Sequence, residues 1–350
     1  NKAMVVDGGM AILGGRNIGD DYFNTLAPGG LYMDLDVAVA GPVVAEVQAQ
    51  FDAYWNAPPS VPAAQILPAP TSARSAELRA QEAARLARPE ARPDTEALAE
   101  ARRACPLLAP DSPFLPARTR LVADPPEKIG GRVPARQLLW TRMRRALGHP
   151  RQELILMSPY LVPMRPGLRL FTRYLREGVQ LRLLTNSFAA TDVPLVHSGY
   201  AHRRRALLRR GAELYEYAPP GHSPRPARDF LENPPQGVAP FSRNKLHAKV
   251  FVVDRERLFI GSFNFDPRSL RLNTELGLVI DCPEAAQAVA ANFERIATAH
   301  AWRLQLGPSP ARRLLWTRPG AEPLRHEPGA TLGSRLVLGI AQRLPIEWML

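Results

Sequence analysis

The stretch that decides the fold is LHAKVFVVDRERLFIGSFNFDPRS, residues 246–269. It opens with His247 and Lys249, which are two positions apart, so their side chains would point the same way on a strand. Residues 250–253 are typical of a short buried strand, a charged turn follows, and residues 258–260 are typical of a second strand. The pattern therefore predicts a β-hairpin with a histidine and a lysine at its entrance.

The predicted hairpin would gather polar side chains on one rim. These side chains are His247, Lys249, Ser262 and Asn264. Together they offer an imidazole, an ammonium group and two neutral hydrogen-bond donors. Such a set suits an anionic phosphate whose negative charge rises while it is attacked.

The first 24 residues, NKAMVVDGGMAILGGRNIGDDYFN, repeat this pattern. A shift of 247 positions aligns five pairs: Lys2 with Lys249, Asp7 with Asp254, Gly14 with Gly261, Gly15 with Ser262 and Asn17 with Asn264. The same shift aligns the position before Asn1 with His247. We therefore expect the sequence to start just inside the first copy of a duplicated half-site.

Lysine usage supports the repeat. The chain has only four lysines, and two of them, Lys2 and Lys249, occupy matched positions. A compact ammonium and a planar guanidinium are not interchangeable at a tight phosphate site, so lysine at both places favours a functional role. The alternative is that both lysines are solvated strand ends.

The motif H-x-K-x4-D followed by G-[GS]-x-N, present twice, resembles the phospholipase D superfamily. The second copy is complete, and the first lacks only its histidine. Other stretches are similar to the bacterial cardiolipin synthases, most closely the C-type branch. They are GGRNIGDDYF (14–23), DLDVAVAGPV (34–43), SPYLVP (158–163), LLTNSFAATDVPLVHSGY (183–200), GSFNFDPRSLRLNTELG (261–277) and LPIEWML (344–350).

The resemblance implies an α/β fold of two pseudo-symmetric phospholipase D-type lobes, each a mixed sheet flanked by helices, with the active site between them. Residues 1–150 would be the C-terminal part of the first lobe, with a Pro/Ala/Arg-rich insert at about 57–117. Residues 151–300 would be the second lobe. Residues 301–350 would be a tail that either lies on a membrane interface or docks on the body.

The resemblance also assigns chemical roles. His247 would be the general acid/base, and the histidine expected before Asn1 would be the nucleophile that forms a phosphohistidine, although the two roles are interchangeable. The groups expected on the non-bridging phosphate oxygens are Lys2, Lys249, Asn17 and Asn264. Cations and amides there stabilise the developing charge, so we expect no metal and no cofactor.

Two carboxylates are expected to orient the histidines, each acting on the other half. The strand match of ELGLVI (275–280) with DLDVAV (34–39) assigns Asp34 to His247 and Glu275 to the missing histidine, with Asp36 as the alternative to Asp34. Two further aspartates belong to the motif, and we expect them to fix the hairpin turns rather than touch phosphate. They are Asp7 and Asp254.

A further group is expected to contact substrate. Ser262 would add a hydroxyl to the phosphate site, and its counterpart Gly15 would offer only backbone. The remaining candidates lie in stretches similar to the synthases and would contact the lipid head group. They are Tyr160, Asn186, His197 and Tyr200. Residues 197–210 are predicted to form one strongly basic helix.

Composition agrees with a lipid partner. The net charge is +12 and the isoelectric point is about 10.3, which favours anionic phospholipids and an anionic membrane surface. The two cysteines, Cys105 and Cys282, lie far apart without metal-binding spacing, and no run of 18 apolar residues occurs. We expect a peripheral protein of the bacterial inner membrane.

The leading hypothesis is transfer of a phosphatidyl group to phosphatidylglycerol to give cardiolipin. The donor would be phosphatidylethanolamine or a second phosphatidylglycerol. The alternatives are phospholipid hydrolysis at the same site, a nuclease of the same superfamily and a non-catalytic lipid scaffold. We expect no nucleic-acid partner, and the presence of a small accessory protein stays an open question. We expect residues 1–350 to be inactive alone, because the histidine of the first half-site is missing.

Overall fold

A computed structural model of the 350-residue chain describes residues 1–19, 22, 32–87, 114–131, 133–191, 193–218, 245–308, 313–331, 333, 334 and 339. The chain divides into two compact units. One unit combines Asn1–Phe51 with Ala117–Leu350, and the other is Asp52–Pro116. The predicted division into lobes at residues 150 and 300 remains a prediction.

A small antiparallel sheet opens the larger unit. Its strands are β1 (Ala3–Val6), β2 (Met10–Gly14) and β4 (Asp36–Ala40), in the order β1-β2-β4. Between β2 and β4 lies the two-residue strand β3 (Tyr32–Met33), which belongs to a different sheet. It pairs in parallel with β9 (Lys245–Leu246), more than two hundred residues later.

The main sheet of the larger unit is mixed and has nine described strands. They are β5 (Arg118–Ala123), β6 (Glu153–Met157), β7 (Gln180–Asn186), β8 (Glu213–Tyr217), β10 (Val250–Val253), β11 (Arg257–Gly261), β12 (Leu276–Asp281), β13 (Ala301–Leu306) and β14 (Leu314–Thr317). Their order is β14-β13-β8-β7-β6-β10-β11-β12-β5. Strands β6, β7 and β8 are parallel neighbours, and the other pairs are antiparallel. The expected α/β class is therefore correct.

Nine α-helices lie within the described ranges. They are α1 (Val43–Trp55), α2 (Ala63–Ile66), α3 (Ser72–Ala87), α4 (Leu139–Leu147), α5 (Met164–Arg176), α6 (Pro194–Ala201), α7 (Arg204–Leu208), α8 (Pro267–Arg271) and α9 (Pro283–Ala299). Helix α3, in the Asp52–Pro116 unit, has no buried residue, as expected for a solvated surface. No helix within these ranges is long and apolar enough to cross a bilayer.

The backbone registers show the internal repeat. Ala3 pairs with Leu13 in the first hairpin as Val250 pairs with Ile260 in the second, and the other pairs follow with the same shift. The next strand obeys the relation as well. Gly14 pairs with Asp36 as Gly261 pairs with Gly277, which is the alignment of residues 34–39 with 275–280 that the sequence predicts.

Both sheet faces of the second hairpin are buried. Val250, Val252 and their neighbours on one face pack in a core that includes β2, α1 and α9. Phe251 and Phe259 on the opposite face pack in a second core with residues of α4 and α5. Continuous apolar strands are expected where a sheet is covered on both sides.

Two sequence expectations differ from the structure. The basic segment 197–210 is not one helix, because it breaks between α6 and α7, where Arg204 turns inward and pairs with buried Glu216 at 2.9 Å. The predicted tail begins as part of the main sheet, since β13 and β14 form its edge. Residues 340–350 and Cys105 lie outside the described residues. Cys282 is a buried free thiol.

Both hairpin turns contain residues in the left-handed backbone conformation. The φ angles are 49° at Asp7 and 54° at Asp254, and the next residues also have positive φ. Aspartate tolerates this conformation better than most residues. The Asp254 carboxylate accepts hydrogen bonds at 2.7–3.0 Å from the backbone N–H groups of Arg151, Gln152 and Glu153, and so ties the hairpin tip to the start of β6.

We predict that Asp254→Ala lowers the free energy of unfolding by about 2–3 kcal/mol, because it removes charge-assisted hydrogen bonds and leaves backbone donors without a partner. Asp7→Ala is the matched control. It changes the same residue in the same turn conformation, but its carboxylate forms no hydrogen bond to a described residue. Urea unfolding of both variants measures the difference. Equal losses would show that the turn conformation, not the carboxylate, carries the effect.

Candidate active site

The parallel pairing of β3 with β9 places Asp34 beside His247. Met33 lies opposite Leu246, so the next residues on both strands meet. The His247 N–H donates to the Met33 carbonyl oxygen at 2.8 Å, and Nδ1 of His247 lies 2.6 Å from Oδ2 of Asp34. An ionised carboxylate can only accept, so Nδ1 carries the proton and Nε2 faces away from Asp34.

Asp36, the alternative to Asp34, faces another partner. Its Oδ2 pairs with Nε of Arg16 at 2.5 Å. Strand alternation alone would put Asp34 and Asp36 on the same face. Asp34 lies in the break between β3 and β4, however, so the two aspartates meet different neighbours. Asp34 is the carboxylate at the histidine.

Asn186 fixes the strand that carries His247. Its amide Nδ2 donates to the Leu246 carbonyl oxygen at 2.9 Å, and its Oδ1 accepts from the Leu246 N–H at 3.0 Å. Both ends of the buried amide thus bind the backbone of one residue, Leu246, next to His247. The predicted contact of Asn186 with substrate stays a prediction.

Lys249 lies against His247 and is almost fully buried, with 3% of its surface exposed. Its Nζ lies 2.9 Å and 3.1 Å from the two ring nitrogens of His247 and donates to the His247 carbonyl oxygen. Burial lowers the pKa of Lys249 to about 7, although the negative charge of Asp34 raises it; the charge of Lys2 lowers it further. The lysines of the two half-sites are thus electrostatic neighbours.

The pKa values of His247 and Asp34 depend on each other. Burial lowers the pKa of His247, the Asp34 hydrogen bond opposes this, and the positive charge of Lys249 adds to the lowering. Burial raises the pKa of Asp34, but the hydrogen bond to His247 and the charge of Lys249 outweigh it and leave that pKa below its usual value. A neutral imidazole beside an ionised carboxylate is the result near neutral pH.

Gly15 leaves room for this pair. A Cβ atom at Gly15 would lie 2.6 Å from Oδ1 of Asp34 and 3.0 Å from Cδ of Lys249. Its counterpart Ser262 instead donates its hydroxyl to Oε2 of Glu275 at 2.5 Å. A hydroxyl has one donor hydrogen. In this structure the donor hydrogen of Ser262 is directed to Glu275, and its contact with phosphate stays a prediction.

Glu275 is buried on the other half of the rim, with 5% of its surface exposed. Besides Ser262, it accepts a hydrogen bond from the Ser269 hydroxyl at 3.0 Å. The negative charge of Glu275 raises the pKa of Lys249, which places the two groups within electrostatic reach.

Two tyrosines cover His247, and the sequence reasoning missed both. The rings of Tyr22 and Tyr32 stack with centroids 4.8 Å apart, and each meets the imidazole edge-on at 5.1 Å. The Tyr22 hydroxyl accepts from Nδ2 of Asn17 at 2.8 Å and lies 3.3 Å from Nε2 of His247. The available signal was the position of Tyr22 five residues after the matched asparagine.

Asn264 matches Asn17 in the repeat but has different surroundings. Its Oδ1 is buried and has no hydrogen-bond partner among the described residues. Buried polar atoms without a partner are uncommon, and they mark places where a ligand can complete the hydrogen bonding. Oxygen and nitrogen of an amide exchange places by a simple flip, so this side chain can present either a donor or an acceptor.

His197 and Tyr200 lie in a separate buried network. Nε2 of His197 lies 2.5 Å from Oε1 of Glu327, and the Arg204 guanidinium stands 4.9 Å from the Tyr200 ring centroid. Burial raises the pKa of Tyr200 well above its usual value. Charged partners within the protein thus contact His197. The predicted head-group contacts of His197 and Tyr200 stay predictions.

Tyr160 packs beside Val162 and Val196 in a small apolar cluster. The described hydrogen bonds and ring contacts of His197, Tyr200 and Tyr160 are not with His247. The predicted residues that the structure brings together around His247 are Asp34, Lys249, Lys2, Asn17, Gly15 and Glu275, with Ser262 and Asn264 at the adjoining strand end. No cluster of three or more metal-ligating side chains occurs in the described part of the chain.

The chain is similar to several known proteins. The family described as "Cardiolipin synthase, PLD-like domain" matches residues 143–297. Cardiolipin synthase C of Escherichia coli (strain K12) is 36% identical over 361 residues, which cover 100% of this chain and 72% of that protein. An uncharacterised protein of Helicobacter pylori (strain ATCC 700392 / 26695) is 28% identical over 99% of this chain and 66% of its own length.

The fold also has a solved counterpart. The crystal structure of phosphatidylserine synthase from Haemophilus influenzae Rd KW20 superposes with a TM-score of 0.52 and 15% sequence identity. The match covers 87% of this chain and 62% of that one, so the chain spans less than two thirds of the solved protein. From the identity and coverage shared with the Escherichia coli synthase, together with the domain match, the chain belongs to the cardiolipin synthase family of the phospholipase D superfamily, a family of phosphatidyltransferases.

Proposed function

We propose that the full-length protein transfers a phosphatidyl group from one phospholipid to a hydroxyl of phosphatidylglycerol and so forms cardiolipin. The donor is phosphatidylethanolamine or a second phosphatidylglycerol. The observation that carries the proposal is the buried triad of Asp34, His247 and Lys249, contributed by two halves of a repeat. Such a triad supplies proton transfer and charge stabilisation at a phosphodiester.

The repeat indicates where a second imidazole belongs. The Ala248 N–H lies 3.1 Å from the Met33 carbonyl oxygen, and the Asn1 amino nitrogen lies 3.2 Å from the Thr274 carbonyl oxygen. These two contacts occupy equivalent places in the two copies. A residue before Asn1 would therefore meet Glu275 as His247 meets Asp34. We propose that a histidine stands there and that Glu275 orients it.

The reaction then runs in two balanced steps. In the first, the Nε2 atom of one imidazole attacks phosphorus, a P–N bond forms, and the P–O bond to the leaving alcohol breaks. The second imidazole, protonated, gives its proton to the departing oxygen. In the second step, the acceptor hydroxyl gives its proton to that imidazole and attacks phosphorus, and the P–N bond breaks. We assign His247 the proton-transfer role.

Asp34 supports the assignment of His247 electrostatically. The carboxylate accepts the Nδ1 proton, holds Nε2 towards the reacting atoms and stabilises the imidazolium that forms. The Tyr22 hydroxyl, 3.3 Å from Nε2, stands where an alcohol oxygen would exchange a proton with His247. Substrate alcohol and the tyrosine therefore compete for the same hydrogen bond.

The lysines supply the charge for the phosphate. Lys249 has a pKa of about 7 because burial removes its hydration, and Lys2 repels it. An anionic phosphate between the two ammonium groups would favour their charged forms. Binding of the phosphodiester is therefore coupled to proton uptake by Lys249. The net charge of +12 draws the protein to an anionic bilayer, where we propose that it is peripheral on the bacterial inner membrane.

We predict that His247→Ala in the full-length protein lowers cardiolipin formation by at least about a thousandfold, because it removes the group that moves the proton. His149→Ala is the matched control: His149 is largely exposed and pairs with Glu177 at 2.7 Å, outside the site. The assay supplies phosphatidylglycerol vesicles with and without phosphatidylethanolamine and identifies products by mass spectrometry. Dependence on the second lipid identifies the donor.

Other products of this assay would contradict the proposal. Phosphatidic acid without cardiolipin would show hydrolysis, with water as the acceptor. Cleaved DNA with unchanged lipids would show a nuclease. Undiminished cardiolipin formation by the His247→Ala variant would exclude the proposed mechanism, even if cardiolipin synthesis is the correct overall activity.

We predict that Asp34→Asn moves the alkaline limb of the kcat/KM profile to lower pH. The Asp34 hydrogen bond and charge raise the pKa of His247, so their loss lowers that pKa and deprotonates the acid at lower pH. Asp36→Asn is the control, because Asp36 faces Arg16. Movement of the acid limb instead would show that His247 is the nucleophile. Two unmoved limbs would contradict any action of Asp34 through His247.

A further inference from the structure

We propose that an apolar groove beside the candidate site holds an acyl chain of the phospholipid whose phosphate binds at His247; this rests on the proposed function. The groove lies between α4, the start of α5 and the segment after β11. The residues that form it and carry the argument are Trp140, Leu170, Phe263, Phe265, Asp266 and Leu270. We call it the Trp140 groove.

The wall of the Trp140 groove is a packed aromatic cluster. The Trp140 ring stacks on Phe263 with centroids 5.7 Å apart and meets Phe265 edge-on at 5.3 Å. Phe263 and Phe265 are buried, whereas Trp140 is half-buried and presents apolar surface to the groove. A fixed apolar surface of this kind favours a flexible hydrocarbon chain over water.

The groove opens at the same sheet edge as the site. Val250 at the start of β10 pairs with Met157 at the end of β6 and with Ile260 near the end of β11. The segments that follow β6 and β11 form two sides of the groove. The segment that precedes β10 carries His247 and Lys249, so all three meet at one edge of the sheet.

Side-chain contacts connect the two places more closely. Phe251 lies two residues after Lys249, on the same strand face. Its ring centroid is 6.4 Å from that of Phe263 and 6.3 Å from that of Phe265. The buried ring of Phe251 thus packs behind the aromatic wall, on the strand that follows Lys249.

The ends of the groove differ in polarity. Asp266, in the wall, is 6% exposed, accepts from the Ser269 N–H at 2.7 Å and is close enough to Lys249 to raise the lysine pKa. Arg144 lies at the rim, exposed, with its guanidinium 5.5 Å from the Trp140 ring centroid. The groove thus runs between a buried polar end near Lys249 and a cationic rim.

The surface around the rim matches an anionic bilayer. Arg144 of α4 lines the groove, and α4 and α5 carry further exposed arginines, namely Arg142, Arg145, Arg165, Arg169 and Arg173. The backbone of the wall is already paired, since the Val162 N–H donates to the Phe265 carbonyl oxygen at 2.7 Å, so it offers no free strand edge to a peptide. A phospholipid, whose apolar chain is attached to a phosphate, matches both the buried polar end and the cationic rim of the groove.

The first test fills the groove. Leu170→Trp places a larger side chain in it, and Leu175→Trp, on the same helix and outside the groove, is the matched control. With the full-length protein, kcat/KM is compared for long-chain phosphatidylglycerol and for bis(4-nitrophenyl) phosphate, which has no acyl chain. We expect Leu170→Trp to lose at least about tenfold on the long-chain lipid and to leave the chain-free diester unchanged.

Equal losses on both substrates, or no loss on the long-chain lipid, would overturn the groove proposal. The wild-type protein tests the proposed function in the same experiment. If it cleaves the chain-free diester but makes no cardiolipin, the proposed function fails whatever the groove variant does.

A second test measures binding without catalysis. His247→Ala protein is mixed with vesicles of phosphatidylglycerol brominated on its acyl chains, and tryptophan fluorescence is recorded. We expect quenching that the additional change Trp140→Phe removes in part, since the chain has five tryptophans. Quenching that is unchanged by Trp140→Phe would contradict chain binding in the groove.

Discussion

The hydrogen bond between Nδ1 of His247 and Oδ2 of Asp34 is the interaction on which the site depends. It joins residues 213 positions apart and exists only because β3 and β9 pair in parallel. Asn186 holds the β9 backbone from one side, and Gly15 leaves space on the other. Because Asp34 accepts the Nδ1 proton and leaves Nε2 on the other side of the ring, strand pairing in this fold determines the geometry of the candidate site.

The second constraint is the concentration of charge in a buried place. Burial lowers the pKa values of Lys249 and His247, and the positive charge of Lys2 lowers both further. Carboxylates from both copies offset this, since Asp34 and Glu275 both raise the pKa of Lys249. The rim is thus an unfavourable place for ammonium groups until an anion is present, which favours a phosphate over a neutral ligand.

Sequence reasoning reached the hairpins, their turns and the match of Asp34 with Glu275, because these follow from strand alternation and a fixed repeat. It did not predict the partners of Asn186 and Ser262 within the protein, which are Leu246 and Glu275. Nothing local in the chain identifies an asparagine that binds the backbone of a residue 60 positions away. The same holds for His197, since its partner Glu327 lies 130 residues later.

A lipid phosphodiester imposes a demand that a soluble phosphate does not. Its phosphate must enter a charged, buried rim while its chains stay out of water. Strands β6, β7 and β11 end, and β10 begins, at the edge where His247 lies. Trp140 of α4 and the phenylalanines after β11 form the aromatic wall there, and α4 and α5 carry exposed arginines. One sheet edge therefore combines the charge that the proposed phosphate site requires with the apolar surface that the proposed acyl chain requires.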